Sequence, residues 1–244
     1  MTATTMKKPH GDRPIEGMMA KWYAANTGEM MREYVDLARR LAGQLQPGSA
    51  VLEVAPGPGY LSIELAKLGS YAVTGLDISH SMVKIAAEKA AEAEVKVDFK
   101  QGSASNLPFP KDSFDFLVCR AAFKNFAKPV VALQEMCRVL KPGGRALIID
   151  LRGDAAPNAV SRYVNEMGLS RMSRIMTKAV FRWMLIKSAY TKEQFQQMLA
   201  QAEFGSVDVV EAEIGFEIMM TKKQLAAGPK TSGAAWPVIL PLLF

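Results

Sequence analysis

A pair of glycines and an aspartate have the residue types and the spacing that binding of a nucleoside requires. Gly57 and Gly59 follow the apolar run 50–55 and precede a segment with helical spacing of leucines. Because glycine has no Cβ, the backbone there can approach a ligand closely, next to the free N–H groups of a helix start. Asp77 ends a second apolar run eighteen residues later, and its carboxylate can accept hydrogen bonds from both hydroxyls of a ribose. A plain strand-to-helix turn and an acid at a helix start are the alternatives.

These residues stand at the ends of apolar runs that alternate with helical segments. Ser79 is a natural N-cap for one of the helices, and a turn at 141–144 leads into the last strand of the series. Near-continuous apolar strands in such alternation are typical of a parallel sheet covered on both faces. The predicted strands of this series are 50–55, 71–78, 95–100, 114–119 and 145–150.

The pattern changes after residue 150. Residues 155–187 are typical of Met-rich helices, Thr191 caps a further helix, and the runs 207–214 and 216–221 fit an antiparallel hairpin. We therefore predict an α/β fold: a Rossmann-like, mostly parallel seven-stranded sheet with helices on both faces, a C-terminal antiparallel hairpin and a helical cap.

Ligands of open α/β sheets bind at the carboxyl ends of the strands, near the point where the strand order reverses. The predicted topology brings one set of polar and small residues to that edge. Its members are Gly57, Gly59, Asp77, Gly102, Ser103, Ala104, Arg120 and Asp150.

With these residues in place, the sequence resembles the class I S-adenosylmethionine-dependent methyltransferases, of the small-molecule type that includes ubiquinone and menaquinone methyltransferases. The resemblance covers about residues 50–150 and implies S-adenosylmethionine as cofactor and methyl transfer to a small-molecule acceptor. It is carried by Glu53-x-x-x-Gly57-x-Gly59, Asp77, Leu107-Pro-Phe109, Phe114-Asp115 and Leu140-Lys-Pro-Gly-Gly144. The cofactor-binding residues that it and the sheet edge imply are Glu53, Ala55, Gly57, Gly59, Asp77, Ile78, Met82, Gly102, Ser103, Ala104 and Arg120.

Two residues depart from the family pattern. Ala55 stands where the first glycine of the motif is usual, so we expect the same loop with less conformational freedom. Ser103 stands where many relatives carry an aspartate that bonds the adenine amino group. A hydroxyl can accept one hydrogen bond there, although a neutral one.

The methyl acceptor is expected over the fourth and fifth strands. Methyl transfer from a sulfonium is an in-line displacement, so the enzyme mainly positions the acceptor, and a base is needed only for a protonated acceptor. The candidates for a catalytic group are Tyr23 and Asp150. The alternative for Tyr23 is that it only covers the core, and the alternative for Asp150 is a purely structural role. The acceptor-binding candidates are Trp22, Phe123, Lys124, Asn125 and Arg152; a place in the core is the alternative for Phe123.

Two other functions fit parts of the pattern. A non-catalytic S-adenosylmethionine-binding or scaffold protein would keep the same fold and loop. An NAD-dependent oxidoreductase also uses a glycine-rich turn and a ribose-binding acid. However, Ser62 occupies its third glycine position, and no second mononucleotide-binding half follows residue 150.

The chain is predicted to consist of a disordered leader (1–14), one methyltransferase domain (15–225) and an apolar, Pro-containing tail (226–244). Hydrophobic and charged residues make up 49% and 22%, as in ordinary globular proteins. No secretory signal and no run of ~20 apolar residues is present, so we expect a cytoplasmic protein. Two cysteines outside any C-x-x-C pair and only two histidines, His10 and His80, give no expectation of a metal site. Within the domain we predict a helical cover (15–49), a cofactor-binding core (50–150), a helical insertion over the acceptor site (151–190) and a final helix and hairpin (191–225).

Most of the net charge of +6 lies in residues 160–190, which hold six basic residues and one acid. Arg171, Arg174, Lys178 and Arg182 fall on one face of a helix. That face is either simply solvated or attracts an anionic acceptor or an anionic membrane surface. Nucleic acid is not expected as a partner, because no aromatic ladder accompanies the charge, and the oligomeric state is left open. The residues that would supply apolar contact to a membrane are Leu169, Met172, Ile175, Met176 and Phe181.

Overall fold

The computed structural model describes residue 12 and residues 14–27, 31–167 and 170–224. The rest of the predicted leader, with His10, and the predicted tail 226–244 lie outside these residues. The seven strands of the described residues form one sheet in the order β3-β2-β1-β4-β5-β7-β6. The strands are β1 Ala50–Val54, β2 Ala72–Asp77, β3 Asp98–Gln101, β4 Phe114–Arg120, β5 Leu140–Leu151, β6 Phe204–Glu211 and β7 Gly215–Lys222.

The first five strands run parallel to one another, and β7 lies antiparallel to both of its neighbours. The predicted Rossmann-like sheet with a C-terminal antiparallel hairpin is therefore confirmed. The helices are α1 Gly17–Thr27, α2 Met31–Ala42, α3 Tyr60–Leu68, α4 His80–Glu92, α5 Pro129–Val139, α6 Pro157–Glu166, α7 Arg171–Val180, α8 Ile186–Ser188 and α9 Lys192–Leu199.

Alternate residues of the central strands pack into cores on opposite faces of the sheet. Val51 belongs to a buried cluster with Leu37 of α2 and Leu61 of α3. Leu52 belongs to a second cluster, which includes Met136 of α5 and residues of α9. Since both faces are covered, the strands must be apolar at nearly every position, which explains their continuous apolar runs.

The segment 141–144 corrects one prediction. It is not a plain turn before the strand, because β5 already begins at Leu140, which pairs with Phe114. The register then shifts, so that Phe116 pairs with Arg145. Gly143 has a φ of +78°, a conformation that favours glycine and lets the extra residues bulge within the strand.

The predicted Met-rich segment is divided into α6, α7, a π-helical turn Phe181–Leu185 and the short α8. Its buried side chains, among them Tyr163 and Phe181, form a third cluster with Leu151 at the end of β5. Thr191 caps α9 with a capping box, as its position predicts. Among the described residues, no helix combines the length and apolar character needed to cross a bilayer.

Candidate functional site

The loop between β1 and α3 lies at the point where the strand order reverses. After β1 the chain builds β2 and β3 on one side, and then returns to place β4 on the other side. Three loop residues adopt left-handed backbone conformations: Ala55 (φ 57°), Gly57 (55°) and Gly59 (81°). The loop thus keeps the glycine-type path at Ala55, where a Cβ makes it costlier by about 1–2 kcal/mol.

The two glycines of this loop have different reasons to be glycine. A Cβ on Gly59 would lie 2.7 Å from Phe99 Cζ and 2.9 Å from Ala86 Cβ, so Gly59 allows close packing behind the loop. A Cβ on Gly57 would meet only Tyr23 Cε1, at 3.9 Å. Room for a ligand to approach the backbone therefore exists at Gly57, whereas Gly59 serves the core.

Asp77, at the end of β2, is held directly beside this loop. Its Oδ2 accepts a hydrogen bond from Gly57 N (3.0 Å) and its Oδ1 accepts one from Ser79 N (2.9 Å). Burial raises the pKa of this carboxyl, and the two N–H donors oppose the rise. Each carboxylate oxygen keeps a further acceptor position. The arrangement therefore fits the two hydroxyls of a ribose, the role that the sequence assigns to Asp77.

Glu53 lies behind the loop in a buried position. Its Oε2 accepts a hydrogen bond from Ser62 Oγ of α3 at 2.5 Å. Burial raises the pKa of Glu53 to about 7, although the Ser62 hydroxyl acts in the opposite direction. Ser62 thus joins α3 to β1 where a dinucleotide-binding fingerprint would have its third glycine.

Arg120, at the end of β4, contacts the covering helix α2. Its Nη2 donates to Glu33 Oε2 at 3.0 Å, and its guanidinium lies 4.5 Å from the centroid of the Tyr34 ring. Burial raises the pKa of Glu33 to about 7, against the effect of Arg120. No sequence pattern distinguishes Glu33, because an acid in the first turn of a helix is already accounted for by its interaction with the helix dipole.

Helix α1 lies across the glycine loop. Tyr23 Cε1 would lie 3.9 Å from a Cβ added at Gly57, and Tyr60 of α3 donates a hydrogen bond to Ala24 O at 2.6 Å. Burial raises the pKa of Tyr23. Tyr23 therefore keeps its proton near neutral pH and can donate a hydrogen bond, but it is a poor base. Trp22 is exposed.

The start of α1 is fastened to the start of α4, next to Asp77. The Glu16 carboxylate accepts hydrogen bonds from His80 N (2.9 Å) and Ser81 N (3.0 Å). The Ser79 hydroxyl donates to Ile15 O at 2.6 Å and also caps α4 by accepting from Met82 N. No local sequence pattern indicates a role for Glu16, because its partners are more than sixty residues away in the chain.

The remaining cofactor candidates surround the ends of β2 and β3. Gly102 N donates to Asp77 O at 2.9 Å, and the Ser103 hydroxyl accepts from Ser105 N at 3.2 Å. Ser103 thus has one acceptor position left and can still donate its proton. Ile78 and Ala104 are partly buried, whereas Met82 is buried.

Asp150 and Lys124 form a buried pair at the end of β5. Asp150 accepts hydrogen bonds from Lys124 Nζ (3.0 Å), Lys124 N (2.9 Å) and Leu151 N (2.8 Å). Three donors, one of them the Lys124 ammonium, thus occupy acceptor positions of this buried carboxylate. The structural alternative for Asp150 is therefore favoured over the catalytic one, and Lys124 is committed to this pair.

The other acceptor candidates are divided between core and surface. Phe123 is fully buried and packs against Phe126, Tyr190 and Phe195, which favours the alternative of a core residue. Asn125 is exposed. Arg152 is committed to ion pairs that join the insertion to β6; its partners are Asp154 (2.8 Å) and Glu211 (2.6 Å).

Comparisons with known proteins agree with this geometry. Residues 52–148 match the family described as "Methyltransferase domain". A demethylmenaquinone methyltransferase of Listeria monocytogenes is 39% identical over 130 residues, which are 50% of this chain and 55% of the relative. The chain therefore spans about half the length of the curated relatives that it matches.

Solved structures share the fold at lower identity. A structure from Methanococcus maripaludis, described as a putative S-adenosyl-L-methionine-dependent methyltransferase, has a TM-score of 0.65 at 21% identity and covers 92% of this chain and 98% of its own. The [4+2]-cyclase SpnF has a TM-score of 0.60 at 21% identity, over 78% and 81% of the two chains. At these identities the likeness concerns the fold, and proteins named for different reactions share it.

Proposed function

We propose that this chain, which carries a class I S-adenosylmethionine-dependent methyltransferase domain, transfers the methyl group of S-adenosylmethionine to a small-molecule acceptor. The proposal depends above all on one observation. At the reversal of strand order, the buried Asp77 carboxylate accepts a hydrogen bond from the backbone of Gly57, the residue with room for a ligand. An acid for a ribose and an accessible backbone for the rest of the cofactor are thus adjacent.

The chain's own residues bind and orient in this mechanism. S-adenosylmethionine brings an already activated methyl group, so the largest contribution of the protein is positioning. Asp77 would hold the ribose, the loop at Gly57 would face the methionine moiety, and Tyr23 would cover the loop and donate a hydrogen bond. No base is assigned, because Asp150 is paired and Tyr23 keeps its proton.

We propose that the acceptor is apolar. Met18, Met19 and Trp22 expose apolar side chains on α1, the helix that covers the glycine loop. The name of the Listeria relative makes demethylmenaquinone an acceptor to test first. We propose that the reaction takes place in the cytoplasm, where S-adenosylmethionine is available.

Calorimetric titration with S-adenosylmethionine and with its demethylated product tests the cofactor site. The wild-type chain should bind both, and Asp77→Ala should weaken binding at least ~10-fold, about 1.4 kcal/mol. Asp98→Ala is the matched control. This exposed aspartate stands at the amino end of β3, away from the carboxyl end of β2 where Asp77 lies, and forms an ion pair with Lys100. Absence of binding by the wild-type chain would overturn the proposal.

Turnover is measured separately with radiolabelled methyl donor and a panel of quinone, phenol, amine and thiol acceptors. Transfer to one class identifies the acceptor chemistry. Binding without transfer to any of them would favour the non-catalytic alternative. Tight binding of NAD in place of S-adenosylmethionine would favour the oxidoreductase, against which the Ser62–Glu53 hydrogen bond already argues.

A further inference from the structure

Helix α7 and the π-helical turn after it expose large apolar side chains. The exposed fractions are 71% for Met172, 61% for Ile175, 65% for Met176 and 65% for Trp183. Their spacing of three, four and seven residues places them on one side of the helix. No residue of α7 itself is buried, so this helix contributes apolar surface to solvent and not to the core.

Phe181 does not belong to this surface, contrary to the sequence-based interpretation. It is buried against Tyr163, with ring centroids 5.6 Å apart, and anchors the π-helical turn on α6. The exposed series continues instead through Val180 and Trp183. Leu169, the other residue assigned to the apolar contact, lies outside the described residues.

Basic side chains accompany the apolar ones. Residues 170–190 contain no aspartate or glutamate. Within the described part of the chain, Arg171, Lys178, Arg182 and Lys187 have no acidic side chain within 4 Å. By contrast, Arg162 of α6 pairs with Glu213. Arg171, Lys178, Arg182 and Lys187 therefore form a run of basic side chains without a neighbouring acid among the described residues.

Two of these basic residues line a cavity between α6 and α7. Lys178 and Arg182 face Val160 and Ser161 of α6 across a space of about 260 Å³. Since a water molecule occupies about 30 Å³ in the liquid, this space can hold a group several times larger. The charged residues of its lining are basic, and apolar residues line the rest. Its occupant should therefore be an anionic group that is attached to an apolar one.

We propose that α7 and the π-helical turn dock on an anionic lipid surface. The apolar side chains enter the boundary between headgroups and acyl chains, the flanking basic residues lie among the phosphates, and the cavity at Lys178 and Arg182 receives one headgroup phosphate. A helix with one apolar side and a basic flank binds membrane interfaces in this way. Trp183 suits the same depth, with Lys187 Nζ 5.1 Å from its ring.

Charge favours a lipid over the other occupants of such a surface. A second copy of the chain would bring two sets of unpaired basic residues together, and like charges destabilise an interface. Nucleic acid would neutralise the basic side chains, but it would not bury the exposed methionines and Trp183 in an apolar environment. The docking inference goes beyond the proposed methyl transfer and does not depend on it.

Flotation of the full chain with vesicles tests the proposal. We expect binding to vesicles that contain phosphatidylglycerol, weak binding to pure phosphatidylcholine, and release by salt. The double variant Lys178→Gln/Arg182→Gln should bind about 25-fold more weakly, because each basic residue near an anionic surface contributes roughly fivefold. The matched control is Lys96→Gln/Lys111→Gln. It removes the same charge from two exposed lysines that precede β3 and β4, at the amino ends of the strands.

A second pair of variants tests the apolar contact. Met176→Asp should abolish flotation, and Trp183→Phe should remove the blue shift of fluorescence that vesicles cause. Circular dichroism and thermal unfolding verify that all variants fold. Absence of binding to phosphatidylglycerol vesicles, or equal binding by the Lys178/Arg182 variant and its control, would overturn the proposal. So would a dimer that Met176→Asp dissociates in the absence of lipid, because a second copy would then cover α7.

Discussion

The core predicted to bind the cofactor and the helical insertion differ in where their charged and apolar side chains lie and in whether the charges have partners. In residues 50–150 the buried acids Glu53, Asp77 and Asp150 all accept hydrogen bonds from nearby donors. In α7, apolar side chains face solvent, and Arg171 and Lys178 have no acidic side chain within 4 Å in the described part of the chain. The buried charges of the core thus have partners within the core. The exposed apolar and basic side chains of the insertion have the composition of a surface that binds a partner.

Asp150→Ala should cause the largest loss of stability. It leaves the Lys124 ammonium buried without its carboxylate, which costs about 3–5 kcal/mol. Asp154→Ala, the control in the insertion, removes the carboxylate of the partly exposed pair with Arg152 and should cost about 1 kcal/mol or less. Urea unfolding compares them. An Asp150→Ala protein that unfolds like the wild type but transfers no methyl group would restore the catalytic interpretation of Asp150.

The two glycines of the loop sharpen the contrast between packing and binding. Gly59→Ala combines a left-handed backbone with contacts below 3 Å and should cost about 2–4 kcal/mol. Gly57→Ala, with the same backbone class and an open neighbourhood, should cost only about 1–2 kcal/mol. Calorimetry should show that Gly57→Ala affects cofactor binding more than its stability loss explains. Equal unfolding free energies for both variants would show that Phe99 and Ala86 can move aside.

The buried Glu53 makes the stability of the core depend on pH. Its pKa of about 7 in the folded chain exceeds the usual 4.5, so the folded state binds more protons than the unfolded state between these values. Stability should therefore fall as pH rises from about 4.5 to 7. Glu53→Gln should flatten that fall, although Glu33, with the same direction of shift, retains part of it. Unfolding free energies from pH 4.5 to 8 test this, and parallel curves for both proteins would contradict it.

A matched pair of methionines gives the smallest expected effect. Met176→Ala, on the exposed side of α7, should change the unfolding free energy by no more than about 0.5 kcal/mol. Met136→Ala, in α5, removes a fully buried side chain and should cost about 2–5 kcal/mol. A loss above about 1.5 kcal/mol for Met176→Ala would mean that α7 is packed in solution, and the contrast between the two regions would disappear.

Local patterns carried most of what could be predicted. The continuous apolar runs gave the strands, and Ser79 and Thr191 cap their helices as residue type and position indicate. The approach of Asp77 to Gly57 followed from the rule that parallel strands end at one edge. The polar partners of Arg120 and Asp150 could not be deduced in the same way, because they come from distant segments or from a turn whose direction the sequence does not specify.

Phe181 shows a different limit. Its apolar type suggested membership of the exposed row, but a step of four residues from Met176 leads to Val180, and a further step of three leads to Trp183. Residue type alone does not say on which side of an amphipathic helix an aromatic ring lies. The phase of the whole segment, including its π-helical turn, decides it.

The fastening of α1 has a consequence for the timing of ligand exchange. Glu16 and Ser79 tie the start of this helix to the start of α4, and Tyr60 ties its second half to the start of α3. A ligand lying beneath it can leave only when those bonds open together, so its residence time is a property of the helix and not only of the contacts that it makes itself. Amide hydrogen exchange in α1 and cofactor dissociation should then share one rate, and unequal rates would reveal another way out.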